Sequence, residues 1–146
     1  MTSVACTSNA YGQAARKKFV KEIRLSRTIS IAFESYSSKL GLYYHPRLVR
    51  NGKAVKLKGY DETNGCDEDI KLSPNARYLT MSHIIKGYVL ENNKRILHEN
   101  YLCVIVDIKG ARVVEDMQSD CGGEWNKSSQ WISGDRIIFS GEGVKD

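Results

Sequence analysis

The sequence lacks the features that mark membrane-spanning, fibrous or disordered chains. Proline occurs only twice, hydrophobic residues make up 41% and charged residues 27%, which is the composition of an ordinary globular domain. No apolar run comes near the roughly 18 residues that a membrane-spanning helix needs. With 146 residues the chain has room for one hydrophobic core. We therefore predict one domain over residues 1–146, without a membrane span.

Sequence signatures of catalysis and of metal binding are also absent. None of His45, His83 and His98 stands beside a G-x-S-x-G elbow or another local signature of nucleophilic catalysis. The acidic segment 61–69 offers carboxylate oxygens, but it lacks the spacing of a calcium-binding EF-hand and is predicted to be a solvated loop. The sequence thus predicts no enzyme, no metal and no cofactor.

The cysteines point to disulfide bonds. Cys6, Cys66, Cys103 and Cys121 are even in number, widely spaced and without a C-x-x-C pair. Two disulfides are predicted, and of the three connectivities we favour Cys6 with Cys66 and Cys103 with Cys121, because each closes a loop within one half of the chain. Disulfides indicate an oxidising compartment, so we expect a periplasmic protein whose signal peptide has been removed. The alternative is four buried thiols in a cytosolic protein.

Alternating apolar and polar residues predict strands along most of the chain. The stretch from Ile23 to Phe33 keeps a period of two and is predicted to be one half-buried strand, and His45-Pro46 predicts a chain break. The other predicted strands lie within residues 42–44, 54–60, 72–81, 88–90, 95–97, 101–108, 111–117 and 131–140. The fold class is therefore all-β.

Turn signals separate these strands. Asn51-Gly52 and Asn92-Asn93 predict hairpins, and Lys109-Gly110 predicts a turn. The segment 75–79 is repeated as 134–138, which suggests related turn-and-strand units. A chain of this length holds only a partial β-propeller or open, twisted antiparallel sheets.

The polar segment 119–130 is predicted to be a loop that carries Trp125 and Asn126. A large apolar ring in a polar loop favours a binding contact, since tryptophan is enriched at interface hot spots. The alternative is that Trp125 folds back to cap the sheet beside Cys121. Asn126 also begins a glycosylation sequon, which has meaning only in a eukaryotic secreted protein.

The turn-and-strand units also support a family resemblance. The segments 72–79, 103–110 and 131–139 resemble the S-P-D-G-R-x-L and D-x-x-G rhythm of propeller blades. More narrowly, residues 66–140 are similar to the small periplasmic immunity proteins that neutralise peptidoglycan amidases of the bacterial type VI secretion system. The resemblance implies a disulfide-bonded, propeller-like all-β fold and a long loop that enters the amidase active site. Residues 82–100 match that loop by position.

We therefore expect an extracytoplasmic inhibitor that plugs the active site of a protein toxin, a cell-wall amidase. The segment 82–100 carries a mixture of aromatic and cationic side chains and is longer than a connecting hairpin needs to be. The predicted partner-binding residues are His83, Lys86, Tyr88, Asn93, Lys94 and Arg95, together with Trp125 and Asn126.

Two other functions remain open. One is an extracytoplasmic domain that binds a glycan or an acidic ligand. The other is nucleic-acid binding, suggested by a net charge of +5 and by a basic cluster near the start of the chain, although few aromatic residues stand beside it to stack on bases. The basic cluster consists of Arg16, Lys17, Lys18, Lys21, Arg24 and Arg27. Because no nucleic-acid motif is present, no nucleic-acid partner is predicted.

Overall fold

The computed structural model describes residues 18–141, and this part of the chain is built from β-strands and turns. The strands are β1 (Lys21–Arg24), β2 (Ile29–Ser37), β3 (Leu42–Arg50), β4 (Lys53–Lys56), β5 (Lys71–Leu72), β6 (Tyr78–Glu91), β7 (Lys94–Asp107), β8 (Arg112–Met117), β9 (Glu124–Trp125), β10 (Gln130–Ser133) and β11 (Arg136–Ser140). They form three antiparallel sheets, in the orders β1-β2-β3-β4, β5-β6-β7-β8 and β11-β10-β9. The prediction of an all-β, antiparallel fold is confirmed.

The first sheet corrects the prediction of a single strand from Ile23 to Phe33. Strands β1 and β2 are instead joined by a turn, which the Ser26 hydroxyl stabilises by accepting hydrogen bonds from the Thr28 and Ile29 amides at 3.3 and 3.1 Å. Hydroxyl acceptors of this kind favour turns over continued extended structure.

The predicted chain break at His45-Pro46 is also wrong. Both residues lie inside β3, where Pro46 pairs with Phe33 of β2. The Phe33 carbonyl accepts a hydrogen bond from the Val20 amide, so it points away from β3. Phe33 and Pro46 are therefore a pair without hydrogen bonds between them, and the Pro46 nitrogen points away from β2. That edge of β3 pairs with Cys66 at Tyr43 and with β4 from Arg47 onward. Pro46 falls between these contacts, so its missing N–H interrupts no ladder bond.

The second sheet contains the two longest strands. Strands β6 and β7 are each 14 residues long and pair along their whole length, from Tyr78 with Asp107 to Glu91 with Lys94. Isolated bridges connect this sheet to the first one: Gly65 pairs with Ile84 of β6, and its neighbour Cys66 pairs with Tyr43 of β3.

Two apolar clusters form the interior. The larger one joins the first two sheets through residues that include Phe33, Leu48 and Met81. The smaller one lies against β7 and the third sheet and is centred on Trp131, which is 1% exposed. Both clusters pack against the proximal halves of β6 and β7.

A disulfide between Cys103 and Cys121 fixes the start of segment 119–130 to β7. This pairing was predicted and is confirmed, and a disulfide is compatible with an oxidising, extracytoplasmic location. Cys66 is a buried thiol whose Sγ donates to the Asp67 carbonyl, and burial raises its pKa. Cys6 lies outside the described residues, so its pairing with Cys66 stays a prediction.

Breaking the Cys103–Cys121 bond is expected to lower the free energy of unfolding by about 3 kcal/mol, because it closes a loop with a sequence separation of 18 residues. The measurement is urea unfolding with and without reductant in a Cys66→Ala background, which leaves this bond as the one under test within residues 18–141. Adding Cys103→Ala and Cys121→Ala should remove the response to reductant. Equal stability of the oxidised and reduced forms would contradict the expectation.

The likeness to a partial propeller stays a prediction. The first two sheets are each four-stranded, as propeller blades are, but residues 18–141 show three sheets and no ring of blades. The repeated segments 75–79 and 134–138 both lead from a short strand into an antiparallel partner, β5 into β6 and β10 into β11.

Candidate protein-binding arm

The distal parts of β6 and β7 form a two-stranded arm, residues 85–100, which extends beyond the sheets. Among residues 18–141, the last neighbour on the outer edge of β6 is Gly65, at Ile84, and β8 pairs with β7 only from Cys103 onward. Neither edge of the arm thus pairs with another strand in the described part of the chain. At roughly 3.3 Å per residue, the arm projects about 20 Å past the last of these neighbours.

A tight turn closes the arm. Asn92 and Asn93 have φ angles of 52° and 65°, and they connect Glu91 directly to Lys94. Positive φ at both central residues defines a type I′ turn, whose twist matches that of the flanking strands. Asparagine tolerates this conformation better than most residues, so the predicted hairpin at Asn92-Asn93 is confirmed.

The pairing divides the arm side chains between two faces, because residues opposite each other in an antiparallel pair share a face. The Tyr88 face carries Lys86, Tyr88, Leu90, Arg95, Leu97 and Glu99. The Val89 face carries Ile85, Val89, Glu91, Lys94, Ile96, His98 and Asn100. Apolar and charged side chains are present on both.

Polar contacts order the Tyr88 face. Lys86 Nζ lies 3.2 Å from Glu99 Oε1, and the Tyr101 hydroxyl donates to the same oxygen at 3.0 Å. These hydrogen bonds lower the pKa of Glu99 and raise the pKa values of Lys86 and Tyr101. The Arg95 guanidinium stacks over the Tyr88 ring, 4.6 Å from its centre. On the other face, His98 Nε2 lies 3.3 Å from Glu91.

The arm exposes most of the large apolar side chains found on the surface of residues 18–141. Leu90 is 74% exposed, and six others on or next to the arm are each more than a third exposed. These six are Ile85, Tyr88, Val89, Ile96, Leu97 and Tyr101. Large apolar side chains that are grouped and exposed on one element of a folded domain indicate an interaction site.

A groove of about 520 Å³ runs between the arm and the turn that connects β2 to β3. One wall is the outer edge of β6 from Gly87 to Leu90, and the other is formed by Ser37, Lys39 and Leu40. Lys39 Nζ reaches across to within 5.3 Å of the Tyr88 ring centre.

Five of the predicted binding residues lie on the arm: Lys86, Tyr88, Asn93, Lys94 and Arg95. His83 lies below it, half-buried, where its Nε2 accepts a hydrogen bond from Asn64 Nδ2 at 2.8 Å and its ring meets Tyr60 edge-on. His83 therefore supports the base of the arm. Its Nδ1 is buried without a hydrogen-bond partner in the described part of the chain.

Trp125 and Asn126 are held within their own region of the fold. Trp125 packs edge-on against Trp131, and its Nε1 donates to the Lys71 carbonyl at 3.1 Å. The Asn126 carboxamide bonds the Gln130 side chain and the amides of Ser128 and Gln130, which closes a turn. Part of the predicted loop 119–130 is also a strand, β9. Partner contacts by these two residues stay predictions.

Sequence reasoning missed the apolar members of the arm and the contribution of Lys39. The short apolar runs at Tyr88 to Leu90 and at Ile96-Leu97 were the available signal, but such runs are equally typical of a strand that packs on a core. Lys39 is brought to the arm by the fold alone, and no local motif marks it.

The basic cluster is partly described. Lys21 Nζ lies 3.6 Å from Glu68, and Arg24 donates to the Arg27 carbonyl at 3.2 Å. Arg16 and Lys17 lie outside the described residues. Over residues 18–141, no group of three potential metal ligands comes together, and no helix has the length and hydrophobicity of a membrane span.

Comparisons of the chain with protein-family models, with curated proteins and with solved structures give no match. The candidate function must therefore be argued from the arm itself.

Proposed function

We propose that this protein is an extracytoplasmic inhibitor whose arm enters the active-site cleft of a partner protein, and that the partner is a cell-wall amidase toxin. The observation that carries the proposal is the arm at residues 85–100, which has apolar side chains on both faces and two edges that no strand of residues 18–141 pairs with. An isolated two-stranded hairpin is only marginally stable in water and gains stability when it is covered. The arm is thus suited to burial in a partner.

The arm is ordered before binding. The Asn92-Asn93 turn, the ion pair of Lys86 with Glu99 and the stacking of Arg95 on Tyr88 each restrict its conformations. A preorganised element loses less conformational entropy on association, so a modest interface reaches high affinity. Inhibitors that block clefts depend on this property.

The scaffold braces the arm at its base. Cys103, which carries the disulfide to Cys121, lies in β7 just after the arm. The Tyr60 hydroxyl donates its one proton to the Ser82 carbonyl at 2.8 Å and also lies 3.2 Å from the Gly65 carbonyl. Burial raises the pKa of Tyr60, so the hydroxyl remains a donor. The amidase identity of the partner rests on the resemblance to immunity proteins described above.

The experiment is to remove the arm while keeping the hairpin geometry. Replacing residues 88–97 by Asn-Gly places a two-residue turn between Gly87 and His98. In the ladder of β6 and β7 these two residues form the same kind of hydrogen-bonded pair as Glu91 and Lys94, which flank the natural turn. We expect the partner amidase to be encoded by a gene next to that of this protein. The readout is the release of soluble peptide from purified peptidoglycan by this amidase. One equivalent of the intact protein is expected to stop release, and a tenfold excess of the shortened variant is expected to leave it unchanged.

The matched control is Lys53→Ala on the β3–β4 hairpin, which should inhibit as the intact protein does. The shortened variant should still unfold cooperatively, since residues 85–100 contribute no member of either apolar cluster. Inhibition by the shortened variant, or uninhibited turnover with the intact protein, would refute the proposal.

A further inference from the structure

We infer that the groove beside the outer edge of β6 binds an extended, acidic segment of a partner protein, which adds to the arm as a third strand. This inference rests on the proposed role of the arm in protein binding. It specifies which edge of the arm is used, by what kind of bond, and which charge the partner carries.

The backbone at this edge has hydrogen-bonding groups for which residues 18–141 provide no partner. Gly65 and Ile84 exchange both backbone hydrogen bonds at 2.8 Å, so the N–H and C=O of Ile84 point away from β7. Successive residues of a strand alternate in this direction. The N–H and C=O groups of Lys86, Tyr88 and Leu90 therefore point outward as well, and within residues 18–141 no backbone group pairs with them.

The position of Gly65 shows that the edge accepts a strand. Gly65 pairs with β6 in antiparallel orientation at the base of the arm, and the groove begins where that pairing stops. An incoming strand would lie in line with Gly65, against the wall formed by Ser37 and Leu40. Main-chain bonds along a free edge supply affinity, and the adjacent side chains select the sequence.

The side chains around the groove select for negative charge. Lys39 and Arg95 both approach the Tyr88 ring, and the groove lining contains no acidic residue. Neither cation has an ion-pair partner within 4 Å in the described part of the chain, whereas Lys86 is paired with Glu99. A carboxylate on the added strand would meet both free cations at once, and such complementarity sets partner choice.

Charge also argues against a second copy of this protein as the occupant. A two-fold symmetric pairing of β6 edges would bring Lys39 and Arg95 of both copies together, on chains that each carry a net charge of +5. Like charges placed opposite each other across an interface are unfavourable. An acidic segment of a different protein fits better.

The probe is a fluorescein-labelled peptide of alternating glutamate and valine, with a lysine–valine peptide as its counterpart. Fluorescence anisotropy at low salt is expected to show binding of the acidic peptide alone. Changing Lys39→Glu together with Arg95→Glu should weaken binding by at least about tenfold. The matched control, Lys53→Glu with Arg136→Glu, makes the same change in net charge on exposed residues of β4 and β11, outside the arm, and should weaken binding far less.

Strand addition has its own readout. Saturating peptide is expected to slow hydrogen exchange of the Tyr88 and Leu90 amides by about tenfold or more, because they become hydrogen-bonded. Leu90→Pro removes one of these donors and should weaken binding, whereas Leu90→Ala, which also loses the leucine side chain, should retain most of it.

The following results would overturn the inference: no binding up to about 1 mM peptide, unchanged exchange at both amides in the bound state, or equal binding of the lysine–valine peptide. Sedimentation that shows self-association through this edge would identify a second copy as the occupant and would also overturn it. If the arm inhibits an amidase but the edge fails these tests, the proposed function stands without the inference. If the edge passes and no amidase is inhibited, the inference stands and the proposed function fails.

Discussion

Replacing Arg47 by methionine is expected to lower the free energy of unfolding by about 3 to 5 kcal/mol. The Arg47 side chain is 9% exposed, and its guanidinium lies 3.1 Å from a carboxylate oxygen of Glu34 and 3.1 Å from one of Glu62. It also donates to the Pro46 carbonyl at 2.9 Å. Methionine keeps the aliphatic packing but leaves two carboxylates largely inside the protein without their shared cation.

The same substitution is expected to change how stability depends on pH. Burial alone would raise the pKa of Glu62, but the His45 hydrogen bond and the Arg47 charge outweigh it and lower the pKa. A carboxyl group whose pKa is lower in the folded than in the unfolded state stabilises the fold at pH values above its unfolded-state pKa. This stabilisation is lost as the pH falls through the lowered pKa of the folded state. The difference in unfolding free energy between the intact protein and the Arg47→Met variant should therefore become smaller as the pH drops below about 4.

Urea unfolding between neutral and acidic pH measures both effects. Arg47→Lys is the control, since it keeps the charge but loses the planar fork that reaches Glu34 and Glu62 together, and its cost should be intermediate. A deficit for Arg47→Met that stays constant with pH would contradict the role assigned to Glu62. A deficit below about 1 kcal/mol would contradict the role of the whole cluster.

The β1–β2 hairpin shows why a periodic pattern predicts strand residues better than connections. Ile23 pairs with Ile31, so the hairpin returns the chain with odd-numbered residues on the same face. The period of two is preserved through the turn, and periodicity alone therefore predicts one strand where two are present. The local signals of the turn were the Ser26 hydroxyl and Arg27, which stands where the alternation would place an apolar residue.

The arm shows a second limit. Its turn was predictable, because Asn92-Asn93 is a local feature with a known conformational preference. Its exposure was not, because whether Val89 faces a core or solvent depends on which other strands lie beside it. The groove depends on Lys39, which approaches Tyr88 only through the way the β2–β3 turn is placed against β6. The candidate site was thus predicted as a segment, and its chemistry required the fold.

Gly123 is the most closely surrounded glycine of residues 18–141, and Gly123→Ala is expected to lower the free energy of unfolding by about 3 kcal/mol. A Cβ at this position would overlap the Ile132 carbonyl oxygen and would lie 2.9 Å from Cε2 of Trp131. Ile132 pairs with Glu124 of β9, and Trp131 is fully buried in the smaller apolar cluster. A methyl group must therefore either separate β9 from β10 or displace the largest side chain of that cluster.

Gly87→Ala is the matched control, because a Cβ at Gly87 meets nothing within 4 Å and the position lies on the exposed arm. Alanine there should change stability by less than about 1 kcal/mol, in the stabilising direction, since glycine in a strand carries an entropic cost. Urea unfolding followed by tryptophan fluorescence gives both values, and near-ultraviolet circular dichroism reports the packing of Trp131. If Gly123→Ala matches Gly87→Ala in stability, the close packing of segment 119–130 against Trp131 and Ile132 does not hold. If only Gly123→Ala is destabilised, that segment belongs to the rigid base from which β7 and the arm extend, because the Cys103–Cys121 disulfide joins them.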